Sequence, residues 1–230
     1  MNWSKLSELI GTLGRCCLHC GSYKVRKSLF CAQCENHLWA RHQGSLFVIE
    51  KMKVEGRCLF VWNQDEDRQV SKLVVTLKEG KPLEAYEYYA QKLFLFDSNV
   101  KLKSGSVLVP CASTPGRRHA LVLAQCLGEL LDLPVLDILS WKSRPGKQKT
   151  KAASQRKSIE FHATKLTLGR HVIFIDDILT TGATAFAARK ALVGCVGFEA
   201  WCIARRGLVA EQQSIFSAGN GAKELCLEGP

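Results

Sequence analysis

The 230-residue chain is long enough to bury a full α/β core and carry a small appendage, and too short for two large domains. Its formal net charge of +11 favours anionic partners, whether phosphorylated metabolites or nucleic acid, without choosing between them. No apolar run reaches the ~20 residues that span a bilayer, and Met1-Asn2-Trp3-Ser4-Lys5 does not begin an export signal, so a cytoplasmic protein without membrane insertion is expected.

The first ordered pattern is a cysteine cluster. Cys17-Leu18-His19-Cys20 is followed, after ten residues, by Cys31-Ala32-Gln33-Cys34. Two CxxC knuckles this close supply four thiolates to a tetrahedral Zn2+, and Gly21 suits the tight turn such a knuckle makes. Cys16, His19 and His37 are alternative donors, but the matched spacing favours Cys17, Cys20, Cys31 and Cys34. Four protein ligands leave no open position for a reacting water, so the expected role is structural; without a metal the same thiols would be free or redox-active. The other cysteines include Cys58, Cys126, Cys195 and Cys202, set singly in apolar runs where a thiol behaves as a small hydrophobe. Residues 1–42 are read as a zinc-ribbon-like domain and 43–230 as the main domain.

After residue 43 the pattern changes. Phe47-Val48-Ile49 and residues 57–62 read as strands, with a polar turn at 63–67. Val70, Leu73, Val74 and Leu77 follow helical spacing up to Gly80, and a second helix is expected over 83–94. This region is expected to be a lead-in to the main domain or a hood over its site, with Tyr86, Tyr88, Tyr89, Phe94 and Phe96 in the core. From Ser106 the pattern is β-α-β: a strand at Val107-Leu108-Val109, a loop over 110–118, a helix over 119–131 and a strand over 133–139. Alternating strands and helices imply a mainly parallel sheet with helices on both faces, and ligands at the carboxyl ends of its strands.

Residues 142–157 carry seven basic side chains, Pro145-Gly146 and no acid, the composition of a mobile loop. Three readings fit it: a solvated surface, a nucleic-acid patch, or a lid over a pyrophosphate. The run Val172-Ile173-Phe174-Ile175 then reads as a buried strand entering Asp176-Asp177-Ile178-Leu179-Thr180-Thr181-Gly182-Ala183-Thr184, with a helix from Ala183. Thr180, Thr181, Gly182, Ala183 and Thr184 can wrap a phosphomonoester with backbone N–H groups and hydroxyls, while Asp176 and Asp177 can accept hydrogen bonds from a ribose diol or hold a metal. A closing strand is expected over 198–204.

The stretch from Val172 to Thr184 resembles the 5-phosphoribosyl 1-pyrophosphate (PRPP) signature of the type I phosphoribosyltransferases. Over residues 15–206 the chain resembles the ComF/GntX family. The resemblance is carried by the four cysteines, Leu77-Lys78-Glu79-Gly80, Val109-Pro110, Gln148 with Arg156, the signature itself and Ala204-Arg205. It implies a type I fold that binds PRPP with Mg2+ and transfers phosphoribosyl to an unknown acceptor, in association with DNA uptake during natural transformation. The alternative it implies is a non-catalytic, PRPP-dependent or DNA-binding accessory factor, with single-stranded DNA or DNA-uptake proteins as partners. Cys111, Ala112, Lys142, Lys147 and Arg156 are its candidates for pyrophosphate or lid contacts. Two departures stand out. The family's Arg-Gly-Phe-Asn-Gln element after the first loop is reduced to Gly116 before Arg117-Arg118-His119, which bears on the pyrophosphate contacts. Thr180 stands where purine-salvage enzymes of this fold place a carboxylate, which disfavours hypoxanthine or guanine as acceptor.

Overall fold

A computed structural model describes residues 16–23, 25–42, 44–50, 52–62, 67–78, 83–96, 102–113, 118–143, 159–165 and 167–206. The elements in chain order are α1 (Ala32–Arg41), β1 (Ser45–Ile49), β2 (Val54–Trp62), α2 (Arg68–Lys78), α3 (Leu83–Leu95), β3 (Ser106–Pro110), α4 (His119–Leu131), β4 (Leu139–Ser143), β5 (Glu160–Ala163), β6 (His171–Leu179), α5 (Ala183–Ala191) and β7 (Gly197–Arg206). The main sheet runs β1-β2-β7-β6-β3, and β4 and β5 form a separate two-stranded ribbon. Only the β1–β2 pair of the main sheet is antiparallel; β2–β7, β7–β6 and β6–β3 are parallel. This is the mixed α/β class read from the strand-helix alternation.

The central strands are apolar on both sides because both faces are covered. With a period of two, Leu108, Ile173, Ile175, Trp201 and Ile203 enter the cluster containing side chains of α1, α2, α3 and α4. Their neighbours Val107, Val109, Val172, Phe174, Ala200 and Cys202 enter a second cluster with Ala185, Ala187 and Ala188 of α5 and Leu139 and Phe161 of the ribbon. The spacing of Val70, Leu73, Val74 and Leu77 gives α2 a fully apolar face against the first cluster.

The cysteine-bearing segment packs into that same cluster. Cys17, Leu29, Phe30, Cys31, Cys34 and Leu38 share it with Phe60, Tyr89 and Leu73. Tyr89 Oη donates to the carbonyl of Ser28 at 2.8 Å, Tyr88 donates to Glu35 Oε1, and Gln69 Nε2 donates to the carbonyl of Cys34 at 3.1 Å. Tyr86 and Tyr89 are fully buried as expected, whereas Phe96, just past the end of α3, is 38% exposed.

Two strand expectations change as well. The run 133–139 is not a continuous strand: Val135 makes a single parallel bridge to Leu108, flanked by hydrogen bonds from Leu108 N–H to Pro134 O at 2.9 Å and from Leu136 N–H to Leu108 O at 2.8 Å. Pro134 has no N–H to extend the ladder, and pairing resumes at Leu139 with β5. The second change is in β6, which continues past Ile175 through both aspartates to Leu179. Of the basic run, residues 142–143 belong to β4 and residues 144–157 lie outside the described residues.

Candidate functional site

Two constellations carry chemistry. The first is the thiol cluster: the four Sγ atoms of Cys17, Cys20, Cys31 and Cys34 lie within 4.8 Å of one another, and Cys20 Sγ is 3.7 Å from Cys31 Sγ. A tetrahedron with Zn–S bonds of about 2.3 Å has S···S edges of about 3.8 Å, so the donor set fits Zn2+. Burial raises the Cys17 thiol, but hydrogen bonds from the backbone N–H groups of Cys20, Cys31 and His19 outweigh it and bring Cys17 down to about 6. Cys34 is pushed the other way, by burial and then by the neighbouring thiols. Four sulfurs this close resist shared ionisation unless a cation balances them, which is the electrostatic task of a structural metal. The alternative donors Cys16, His19 and His37 stand exposed outside the cluster.

The second is a cleft of about 470 Å³ at the carboxyl ends of β3 and β6. Cys111 and Ala112 supply one wall directly after β3, and Asp176, Asp177, Ile178, Thr180 and Thr184 supply the opposite one. Trp62, Lys78, His119 and Trp141 close it from β2, α2, α4 and β4. The loops after the two parallel strands therefore meet, because both strands run the same way and end at one edge of the sheet.

Within the cleft the two acids differ. Asp176 and Asp177 are consecutive residues of one strand, so their side chains leave opposite faces of the sheet. Asp176 faces Cys111 and Cys202, and its Oδ1 accepts the main-chain N–H of Asp177 at 2.9 Å. Burial, followed by the charge of Asp177, holds its carboxyl well above the usual carboxylate range. Asp177 faces the helices: Lys78 Nζ lies 3.3 Å from Oδ2 and His119 Nε2 lies 3.5 Å from Oδ1. Oδ2 is nevertheless buried without a hydrogen bond, so the lysine neutralises this lobe without satisfying it. Ser113 Oγ, next in the chain to Ala112, is likewise buried without a hydrogen-bond partner. An acceptor left in this state at a cleft suits a polar ligand, and a carboxylate lobe with remaining acceptor capacity suits the water-rich shell of Mg2+.

The loop between β6 and α5 supplies the other half. Gly182 caps α5 with φ 73°, in the left-handed region, and a Cβ there would come within 2.9 Å of Ile49 Cγ2. The first N–H groups of α5 have no intrahelical acceptors, and the helix dipole adds partial positive charge at this end. Thr180, Thr181 and Ala183 are exposed there, and Thr184 is half-buried at the rim.

The remaining candidates fall elsewhere. Lys142 is exposed on β4 and pairs with Glu160 of β5 at 3.6 Å. Lys147 and Arg156 lie outside the described residues. Burial, then the charges of Asp176 and Asp177, pushes the Cys111 thiol up, so it is a neutral wall rather than a nucleophile. Sequence reasoning missed Trp62, Lys78, His119 and Trp141 as cleft residues. Trp141 Nε1 donates to the carbonyl of Ala112 at 3.0 Å, pinning the first loop to the ribbon. Lys78, inside the Leu77-Lys78-Glu79-Gly80 match, is the one whose motif offered a signal.

The sequence matches no protein-family model and no curated protein. Solved structures similar to the chain include a purine phosphoribosyltransferase from Pyrococcus horikoshii Ot3, at 18% identity over 55% of this chain and 76% of that one, with a TM-score of 0.35. The adenine phosphoribosyltransferase of Leishmania tarentolae is 15% identical over 77% of this chain and 89% of its own, with a TM-score of 0.38. That of Leishmania donovani is 12% identical over 64% and 83%, with a TM-score of 0.37. Among the described residues, no helix is long and apolar enough to cross a membrane.

Proposed function

We propose that the cleft binds PRPP together with Mg2+ and that the protein is a ComF/GntX-like member of the phosphoribosyltransferase group, acting in the cytoplasm. The observation that carries this reading is the convergence, in one cleft, of a buried carboxylate lobe with spare acceptor capacity and a threonine-rich loop capping a helix. The loop from Thr180 to Thr184 would hold the 5-phosphate through backbone N–H groups and hydroxyls. Asp177 would accept from the ribose diol or from metal-bound water. Asp176, with its raised carboxyl, would donate its proton and hold a hydroxyl without adding a second charge. Mg2+ bound there supplies charge neutralisation to the pyrophosphate.

Transfer from PRPP passes through an oxocarbenium-like state, so the site must fix the ribose and exclude water. Cys111, Ala112 and Ser113 would line the pyrophosphate side, with Lys147 and Arg156 as further candidates. Thr180, where purine-salvage enzymes of this fold place a carboxylate, disfavours hypoxanthine or guanine as the acceptor. A second reading, PRPP binding without turnover in a DNA-uptake accessory factor, is favoured by the replacement of the family's first-loop element with Arg117-Arg118-His119. Calorimetry with PRPP and Mg2+, beside pyrophosphate release against a panel of nitrogenous acceptors, tests both. Binding with release supports transfer, binding without release supports the accessory factor, and no binding at millimolar PRPP rejects the cleft's assignment.

A further inference from the structure

We infer that Lys78 is a ligand-binding cation of this cleft, and that the four-cysteine cluster sets its position through α2. The inference rests on the PRPP reading for the identity of the ligand and on α2 for the coupling.

Helix α2 touches both constellations. Near its amino end, Gln69 is buried and donates from Nε2 to the carbonyl of Cys34, one of the four sulfur-bearing residues, at 3.1 Å. Just before the helix, Asp67 pairs with buried His42 at 3.4 Å, tying the same end to the segment that follows α1. At the carboxyl end, Lys78 Nζ reaches Asp177 Oδ2 at 3.3 Å. Lys78 follows Gln69 by nine positions, about 14 Å along a helix. Between them Val70, Leu73, Val74 and Leu77 are buried, and Tyr86 Oη donates to the carbonyl of Leu77 one residue before the lysine. A helix held on one face and at both ends transmits displacement instead of absorbing it.

Lys78 is suited to a charged ligand. Its side chain is 38% exposed, against 9% for Asp177, so the ammonium stands at the cleft rather than inside the core. The contact with Asp177 leaves Oδ2 without a hydrogen bond, so the ammonium is not committed to that oxygen by geometry. When a diol or a hydrated cation takes Oδ2, the ammonium is freed to swing toward the phosphoryl oxygens of the same ligand. The lysine then acts as counter-charge in the empty cleft and as hydrogen-bond donor to the phosphoryl oxygens in the filled one.

The test uses full-length, zinc-loaded protein with PRPP and Mg2+ as probe, measured by calorimetry on wild type, Lys78→Met, Lys78→Arg, Gln69→Leu and the Gln69→Leu/Lys78→Met double variant. Zinc content and circular dichroism confirm loading and folding. Lys78→Met is expected to weaken binding about tenfold and Lys78→Arg to recover part of it. Gln69→Leu is expected to weaken it about threefold, with no further loss in the double variant, because both changes act through one ammonium. Wild-type affinity in Lys78→Met overturns the ligand contact, and additive losses in the double variant overturn the coupling. Hydrogen exchange of the amides of residues 73–78 separates a failure of the PRPP reading from a failure of this one. Gln69→Leu should speed their exchange whether or not PRPP binds, and unchanged protection overturns the coupling independently of any ligand.

Discussion

Asp176 Oδ1 accepts the main-chain N–H of Asp177 at 2.9 Å, and of these two consecutive acids on one strand Asp177 is the one that faces Lys78 and His119. Asp176 is buried, and desolvation followed by the charge of Asp177 raises its carboxyl. An acid raised in the fold keeps its proton over a window where the unfolded chain has lost it, so the fold loses stability as pH rises above about 4. Asp176→Asn removes that titration while retaining an acceptor oxygen. The variant should melt above wild type at about pH 8 by about 2–4 °C, the scale of ~1 kcal/mol in a chain of this size, with a smaller difference at about pH 5. Its PRPP affinity should fall. A gap that stays constant or shrinks with rising pH would show that Asp176 is not raised.

Gly182 is held at φ 73° with Ile49 Cγ2 where a Cβ would stand, 2.9 Å away. Gly182→Ala is expected to cost roughly 1–2 kcal/mol in urea denaturation, from the left-handed conformation and the contact together. Adding Ile49→Ala should relieve the contact and leave the conformational part. Because the loop shapes the proposed phosphate cradle, Gly182→Ala should also weaken PRPP binding more than it weakens ribose binding. A neutral Gly182→Ala would mean the loop is not held in this geometry.

Cys31→Ser leaves three thiolates in a site whose Sγ atoms lie within 4.8 Å of one another. Zinc content should fall from about one equivalent. Since Cys17, Cys31 and Cys34 share a cluster with Phe60, Leu73 and Tyr89, the melt should drop as a single transition instead of shedding the amino-terminal segment first. The expected loss is several kcal/mol, a fraction of the roughly 10–16 kcal/mol with which zinc-finger peptides bind their metal. Two separated transitions, or unchanged stability after the metal is removed, would contradict the shared core.

The strand-helix alternation was legible because its periods are local: the spacing of Val70, Leu73, Val74 and Leu77 marks α2, and the run from Val172 to Ile175 marks the start of β6. The donor set Cys17, Cys20, Cys31 and Cys34 was legible for the same reason, since CxxC spacing already brings each pair together. What was not legible depends on which faces meet. That Asp176 and Asp177 diverge follows from β6 running two residues beyond them, and nothing in the apolar run marks that end. Lys78 and His119 reach Asp177 from helices 99 and 58 residues earlier in the chain, from 177 − 78 and 177 − 119, and no spacing rule spans such distances. The apolar run 133–139 reads as a strand in the sequence, whereas Pro134 leaves the fold an isolated bridge at Val135.

The amino-terminal edge of the sheet carries its own titration. His171 is buried, its Nε2 is 3.3 Å from Glu199 Oε1 and 3.3 Å from Lys103 Nζ, and Glu199 Oε2 accepts from Trp201 Nε1 at 3.2 Å. Burial lowers the imidazole below its ordinary range; Glu199 opposes this, Lys103 adds to it, and Glu55 opposes it more weakly. His42 is also lowered, by burial first and against the pull of Asp67. A histidine lowered in the fold is neutral there while the unfolded chain takes up a proton, so its contribution is present above about pH 6.5 and is lost as pH falls below that value. Each such proton contributes a slope of at most about 1.4 kcal/mol per pH unit. His171→Gln keeps a donor toward Glu199 without a titrating ring, so its urea midpoint should fall less steeply than wild type between about pH 6.5 and pH 5, with the slope from His42 remaining. At pH 8 the two proteins should differ by the lost ring packing and the ring's contacts to Lys103 and Ser106. An equally steep acid limb in His171→Gln would assign the acid sensitivity to other groups and remove His171 from it.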